Sequence, residues 1–301
     1  PEGSQDAVTA ERLLRLEGID QYWFGSSSSD VPDGMTVLET ELGPRVIVIQ
    51  SGARYTNGFM VADTLIATSP EGSSFRPVSV DSREFSPDQA LADLLYSIEN
   101  ATSGTMNATV ATATADFFLD PENECSMGNL VTDILREYCG ADVFLLNSGK
   151  IRSSFQQGPI TRKQVYDTLP FGGNVVTARV TGAQLLRILN RSCTFVGAPQ
   201  AGRGFLQVSG ISFAWDPQRA PMNQVLPSSV RVGGKALDPN AVYLLGTEAY
   251  IFGGGDGYTD FADMGVARER FYEPSILGIL ESALQDRSSV APGTLGRITT
   301  P

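Results

Sequence analysis

Histidine is absent from all 301 residues. Imidazole is the commonest metal ligand and the usual general base near neutral pH. Its absence excludes Ser-His-Asp triads, Cys-His dyads and histidine-ligated zinc or di-iron centres built from these residues. Cysteine is scarce. Cys125, Cys139 and Cys193 are the three present, with no C-x-x-C spacing, which argues against a zinc knuckle or a thiol redox motif. An odd count leaves room for one disulfide and one free or intermolecular thiol. No apolar run approaches the roughly 20 residues needed to span a bilayer. The first residues, Pro1-Glu2-Gly3-Ser4-Gln5-Asp6, lack a basic-then-apolar signal pattern, and a start at proline suggests processing or a longer parent chain. Basic charge is also short: 22 Lys and Arg stand against 34 Asp and Glu, for a net charge of −12. The arginines are scattered, so nothing here invites a nucleic acid.

What is present reads as a soluble globular chain long enough for about two domains. Residues 11–18 suggest a short helix and residues 19–24 a strand. Residues 46–50 form a short apolar strand, and 58–68 and 75–81 further, antiparallel ones. Ser86 and Pro87 look like the cap and first turn of a helix running to about Asn100, with Leu91, Leu94, Leu95 and Ile98 at helical spacing. Beyond it, helices are expected at 129–139, closed by Gly140, and at 161–168, 181–191 and 274–285. Extended segments are expected at 106–118, 142–146, 206–214 and 242–247. Asn-X-Ser/Thr triplets at Asn100, Asn107 and Asn190 hint at an extracellular or cell-surface setting.

Three loops carry the chemistry. They are Asn147-Ser148-Gly149-Lys150-Ile151-Arg152, Leu169-Pro170-Phe171-Gly172-Gly173-Asn174 and Gly253-Gly254-Gly255-Asp256-Gly257-Tyr258. Each combines glycines, which let backbone approach a ligand, with an aromatic or charged side chain. Phe171 and Tyr258 are candidate platforms for a flat ligand, Arg152 offers a planar fork for phosphate or a sugar hydroxyl, and Asn147 can hydrogen-bond a base edge or sugar. Asp256 reads as a stabiliser of its own turn and Glu124 as a helix-capping partner. The acidic groups Asp120, Glu122, Glu124 and Asp256, Asp260, Asp263 read as solvated surface, and the run Ser26 to Ser29 as a plain loop.

The succession E-C-S-M-G-N-L (124–130), N-S-G-K-I-R (147–152), L-P-F-G-G-N (169–174), T-G-A-Q-L (181–185), F-L-Q-V-S-G-I (205–211), G-G-D-G-Y (254–258) and G-R-I (296–298) resembles the C-terminal domain of the 5′-nucleotidase/UDP-sugar hydrolase family. The likeness runs from about Met106 to Thr300. It implies a nucleoside or nucleotide ligand, its base stacked between Phe171 and Tyr258, with Asn147 and Arg152 on base, ribose or phosphate. Lys150 and Asp263 join that ligand-binding set. Ser148 and Lys150 replace glycines of the family's N-G-G-G-I-R loop, so Lys150 either fills the pocket or adds a phosphate contact. Asn123 stands where an arginine often precedes the helix, which removes one anion contact.

Residues 18–30 and 46–67 resemble the tail of the family's metallophosphatase domain, with serines where two histidines would bind metal. The resemblance thus implies a mixed α/β (α+β) fold, with residues 1–84 a degenerate remnant of a calcineurin-like metallophosphatase sandwich, 85–103 a linker helix and 104–301 the C-terminal-like domain. The expectation is a non-catalytic binding or assembly protein with no metal and no cofactor. A protein partner or self-association would cover the incomplete N-terminal part. Two alternatives stand beside it: the C-terminal part of a longer nucleotidase with its metal ligands upstream, and a structural subunit with a closed pocket.

Overall fold

The run Val143-Phe144-Leu145-Leu146 has nothing polar to present to solvent, and the computed structural model buries all of it. The structure describes residues 88–197 and 204–301 and, before them, the backbone of five strands. The chain divides into two compact units, Pro1–Tyr96 and Ser97–Pro301.

In the first unit, β1 (Gln21–Ser26) runs parallel to β3 (Gly43–Ser51), and β2 (Gly34–Thr40) pairs antiparallel with β3 on its other side. β4 (Phe59–Ala62) and β5 (Pro77–Val80) form a separate antiparallel pair. β2 was not expected. Its Thr36, Glu39 and Thr40 break the apolar pattern, and it is strand by virtue of its partner β3. The helix expected at 11–18, the serines at 27–29 and the Ser86-Pro87 cap lie outside the described residues.

Helix α1 (Gln89–Met106) starts after Asp88, whose carboxylate accepts the Leu91 N–H at 2.9 Å. Its Leu91, Leu94, Leu95 and Ile98 are each more than half exposed. There follow β6 (Thr109–Ala113), α2 (Ser126–Cys139), β7 (Val143–Asn147), β8 (Gly158–Thr161), α3 (Arg162–Thr168), β9 (Asn174–Thr181), α4 (Gly182–Cys193), β10 (Leu206–Ser209), β11 (Ile211–Ala214), β12 (Arg231–Val232), β13 (Lys235–Ala236), β14 (Val242–Glu248), α5 (Ala249–Phe252), α6 (Asp260–Asp263), β15 (Arg268–Ser275), α7 (Ile276–Arg287), β16 (Ser289–Val290) and β17 (Ile298–Thr299). The central sheet has five strands in the order β10-β7-β14-β9-β15, parallel only between β7 and β14. Smaller sheets are β13-β12-β11-β17 and β16-β6-β8.

Alternation along β7 builds two cores. Phe144 and Leu146 face one apolar cluster with α2, α7 and β6, while Val143 and Leu145 face another with α4, β11, Tyr258 and Phe261. A strand covered on both faces must be apolar throughout. Burying each of these large side chains contributes about 1.5–3 kcal/mol.

Local signals fix the ends of the elements. Thr161 and Thr181 cap α3 and α4, each in a box completed by the glutamine three residues on, Gln164 and Gln184. Gly140, at φ 65°, closes α2. The single strand expected over 206–214 is two strands, broken at Gly210. There φ is +76° and a Cβ would lie 2.1 Å from the Asp142 carbonyl oxygen, so only glycine lets the chain leave one sheet for another.

The cysteine and Glu124 expectations need correcting, whereas the Asn-X-Ser/Thr triplets differ as their polar or apolar surroundings suggest, Asn100 and Asn107 exposed and Asn190 not. All three cysteines are free and buried, so there is no disulfide. Asn190 is buried, donating to the Leu186 carbonyl and accepting from the Val225 N–H, and offers no surface for a glycan. Glu124 does not cap α2, which takes Cys125 as its N-cap. Its carboxylate instead accepts the N–H groups of Gly296, Arg297 and Ile298 at 2.8–3.0 Å and the Asn129 amide at 2.8 Å.

Candidate functional site

Parallel neighbours end on the same side of a sheet, and β7 and β14 deliver two of the three glycine-rich loops to one edge. Crevices at the carboxyl ends of parallel strands are the usual place for ligands in α/β folds. β7 leads into a tight turn, Ser148–Lys150, and β14 into the short α5 and the turn Gly255–Gly257. The third loop, between α3 and β9, brings Phe171 and Gly173. Together they enclose a cavity of about 530 Å³ lined by Asn147, Gly149, Lys150, Arg152, Phe171, Gly173, Glu248, Tyr250 and Asp256.

Two aromatic rings border it: Phe171 is 63% exposed and Tyr250 51% exposed. Such exposure means that neither ring is held there by core packing. Gly255 packs against the Tyr250 ring so closely that a Cβ would lie 2.5 Å from it. The Tyr250 hydroxyl donates to Asp256 Oδ1 at 2.9 Å, and Asn147 Nδ2 donates to Asp256 Oδ2 at 2.7 Å. Asp256 therefore braces its own loop through Tyr250 and joins it to the loop of Asn147. Burial raises the Tyr250 phenol above its usual range, and the hydrogen bond to Asp256 adds to the rise.

The cationic side of the cavity surrounds Phe171. Lys150 Nζ lies 6.0 Å and the Arg152 guanidinium 5.7 Å from its ring centroid, within cation–π range. Lys150 is buried and stands 3.6 Å from Glu248 Oε1. Glu248 is 2% exposed, and its Oε2 has no hydrogen-bond partner among the described residues. Burial pushes the Glu248 carboxyl up, and the charge of Lys150 offsets this only in part. Gly173, at φ +101°, packs closely beside the pair. A Cβ there would sit 2.2 Å from Glu248 Oε1 and 3.1 Å from Lys150 Nζ.

Of the six residues expected to bind ligand, Asn147, Lys150, Arg152 and Phe171 line this one cavity. Tyr258 does not. It is fully buried in the second core, its hydroxyl donating to the Gly204 carbonyl at 2.6 Å and its ring 5.6 Å from that of Phe195. The left-handed residues Asp256 (φ 51°) and Gly257 (φ 82°) turn the chain, so that Asp256 meets the cavity and Tyr258 the core. Asp263 also lies elsewhere: on α6 it accepts from Thr259 Oγ1 at 2.9 Å and pairs with Arg187 at 3.5 Å. Its neighbour Asp260 is not solvated surface but buried, held by Arg187 and Arg191 at 2.7 and 2.9 Å.

The lining residues Glu248 and Tyr250 were missed by sequence reasoning. The available signal was an acid closing an apolar strand, followed two residues later by an aromatic and six residues after that by the glycine-flanked Asp256. Ser148, the other replaced glycine, is buried and accepts from Gln207 Nε2 at 3.0 Å. Gln207 also donates to the Asn123 carbonyl and accepts the Cys125 N–H, and Gly128 leaves room for its side chain.

Comparison with known proteins agrees with this architecture. Residues 106–263 match the family model of the 5′-nucleotidase C-terminal domain. The chain is similar to the trifunctional nucleotide phosphoesterase protein YfkN of Bacillus subtilis (strain 168), at 30% identity over 147 residues, covering 46% of this chain and 10% of that protein. It is similar to a 5′-nucleotidase of Vibrio parahaemolyticus, at 27% identity over 179 residues, covering 58% of this chain and 30% of that one. The chain thus spans less than a third of the length of these two relatives. In fold it resembles the crystal structure of the 5′-nucleotidase precursor from Thermus thermophilus, with a TM-score of 0.64 at 24% identity over 97% of this chain and 62% of that one.

Proposed function

Since the chain belongs to the 5′-nucleotidase family through its C-terminal domain, we propose that the cavity at the ends of β7 and β14 holds the nucleoside part of a nucleotide. The base stacks on Phe171 with Tyr250 as the second aromatic wall. Asp256 and Asn147 take the sugar hydroxyls, and the exposed Arg152 meets the phosphate. The observation that carries this reading is the gathering of two half-exposed rings, an anchored Asp–Asn pair and two cations around one cavity. Its volume is within the range usual for small-molecule sites, about 300–1,000 Å³.

The same reading makes these 301 residues a binder rather than a hydrolase. The chain has no histidine, and serines stand where the resemblance puts metal-binding histidines. A neutral serine hydroxyl is a poor substitute for imidazole. Among the described residues no group of three or more His, Cys, Asp or Glu is arranged to hold a metal ion. These residues do not fit a two-metal centre. A protein partner, or further segments of a longer chain, covering the small N-terminal sheets belongs to this reading, as does an extracellular or cell-surface setting. No helix among the described residues is long and apolar enough to cross a membrane.

Calorimetry of the chain with adenosine, guanosine, AMP and UDP-glucose tests the proposal. At least one should bind, and Phe171→Ala should weaken it about tenfold or more, because stacking is worth about 1–3 kcal/mol per base. The melting temperature should stay unchanged, since the ring is mostly exposed. No binding by any of the four would end the nucleoside reading. Chelator-sensitive release of phosphate from AMP would end the non-catalytic one.

A further inference from the structure

Resting on the nucleoside reading, we infer that the Lys150–Glu248 pair makes the cavity select guanine among the bases. Glu248 is a cavity-lining carboxylate almost wholly removed from water, yet its pairing is incomplete. Oε1 stands 3.6 Å from Lys150 Nζ, beyond ordinary hydrogen-bond length, and Oε2 has no partner among the described residues. A buried charged acceptor left in this state is costly, and a ligand donor that completes it is correspondingly favoured. Gly173 keeps both groups in place, because any side chain there would displace Glu248 Oε1.

The chemistry of the base edges then decides. A carboxylate accepts through two oxygens and donates nothing, and an ammonium only donates. Guanine presents two adjacent donors, N1–H and the N2 amino group, next to one acceptor, O6. It can give both donors to Glu248 and O6 to Lys150. Adenine sets its N1 lone pair against the carboxylate, cytosine sets N3 and O2, and uracil offers one donor between two acceptors. Each of these leaves a carboxylate oxygen unpaired or facing a lone pair. A base stacked on Phe171 brings an edge toward Lys150, whose Nζ is 6.0 Å from the ring centroid.

Calorimetry with guanosine, inosine, adenosine and uridine tests this on the unaltered chain. Guanosine should bind at least about tenfold more tightly than adenosine or uridine, with inosine, which lacks the N2 donor, between them. Glu248→Gln, with folding checked by its melt, should erase the guanosine advantage and leave adenosine binding unchanged or stronger. Equal binding of adenosine and guanosine, or a preference that survives Glu248→Gln, would overturn the guanine assignment while leaving the nucleoside reading intact. Failure of all four nucleosides and of AMP to bind the unaltered chain would overturn both.

Discussion

Glu248 and Asp260 are both carboxylates with almost no exposed surface, but the protein treats them in opposite ways. Asp260 receives two guanidinium groups, one on each oxygen. Glu248 faces one ammonium at 3.6 Å and the Tyr250 backbone N–H, and its Oε2 has no hydrogen-bond partner among the described residues. Burial raises both carboxyls. At Asp260 the hydrogen bonds and charges of Arg191 and Arg187 outweigh it, and the carboxyl falls below its usual range. At Glu248 burial wins. A fully answered charge on α6 ties that short helix to α4 and asks nothing of a ligand. A half-answered charge at the edge of a cavity is a group with bonding capacity left over, and the difference separates scaffold from site more clearly than sequence position does.

The contrast can be broken at either end. The largest effect is expected for Asp260→Asn, which removes charge-assisted bonds to both arginines and should cost about 1.5–3 kcal/mol in a urea unfolding curve. Because the native carboxyl titrates below its ordinary value, its contribution is present above that value and is lost as pH falls through the lowered one. The gap between parent and variant should therefore close in acid. Should the two unfold alike at neutral pH, Asp260 would not be the structural anchor described.

A smaller loss, about 1–3 kcal/mol from strain at a positive φ, is expected for Gly173→Ala. Since the new methyl must push Glu248 aside, the substitution should also abolish any guanosine preference. A variant that melts lower yet keeps that preference would separate Gly173 from the pair beside it.

The smallest effect is expected for Glu248→Gln without ligand. With the native carboxyl raised, its ionised form weighs against folding near neutral pH, and that weight lifts as pH falls through the raised value toward the ordinary glutamate range. The variant should melt at or slightly above the parent near neutral pH, the advantage shrinking in mild acid. A clear deficit near neutral pH would mean that Lys150 already satisfies the carboxylate.

Much of the fold could be read in advance. The apolar run expected as an extended segment at 142–146 is β7, and the helices expected at 161–168 and 181–191 are α3 and α4, each beginning one residue later, after its threonine cap. Phe171, Asn147 and Arg152 stood out because they sit in loops that also carry glycines, and Lys150 only because the resemblance puts a glycine at its position. Tyr258 misled because two successive left-handed residues, Asp256 and Gly257, decide which side its ring faces, and no local pattern reports that. Glu248 and Tyr250 escaped notice because their meaning comes from β7, about a hundred residues earlier in the chain, whose end they share only after folding.

Glu124 gathers the N–H groups of Gly296, Arg297 and Ile298 across 172 to 174 positions of sequence. It acts as a latch on β17, and Gln207, bonded beside it to Asn123 and Cys125, reaches on to the buried Ser148, between the lining residues Asn147 and Gly149. Proteolytic trimming back to Leu295 would strand a buried anion at the start of α2. The loss would reach the first ligand loop through two side chains, Gln207 and Ser148.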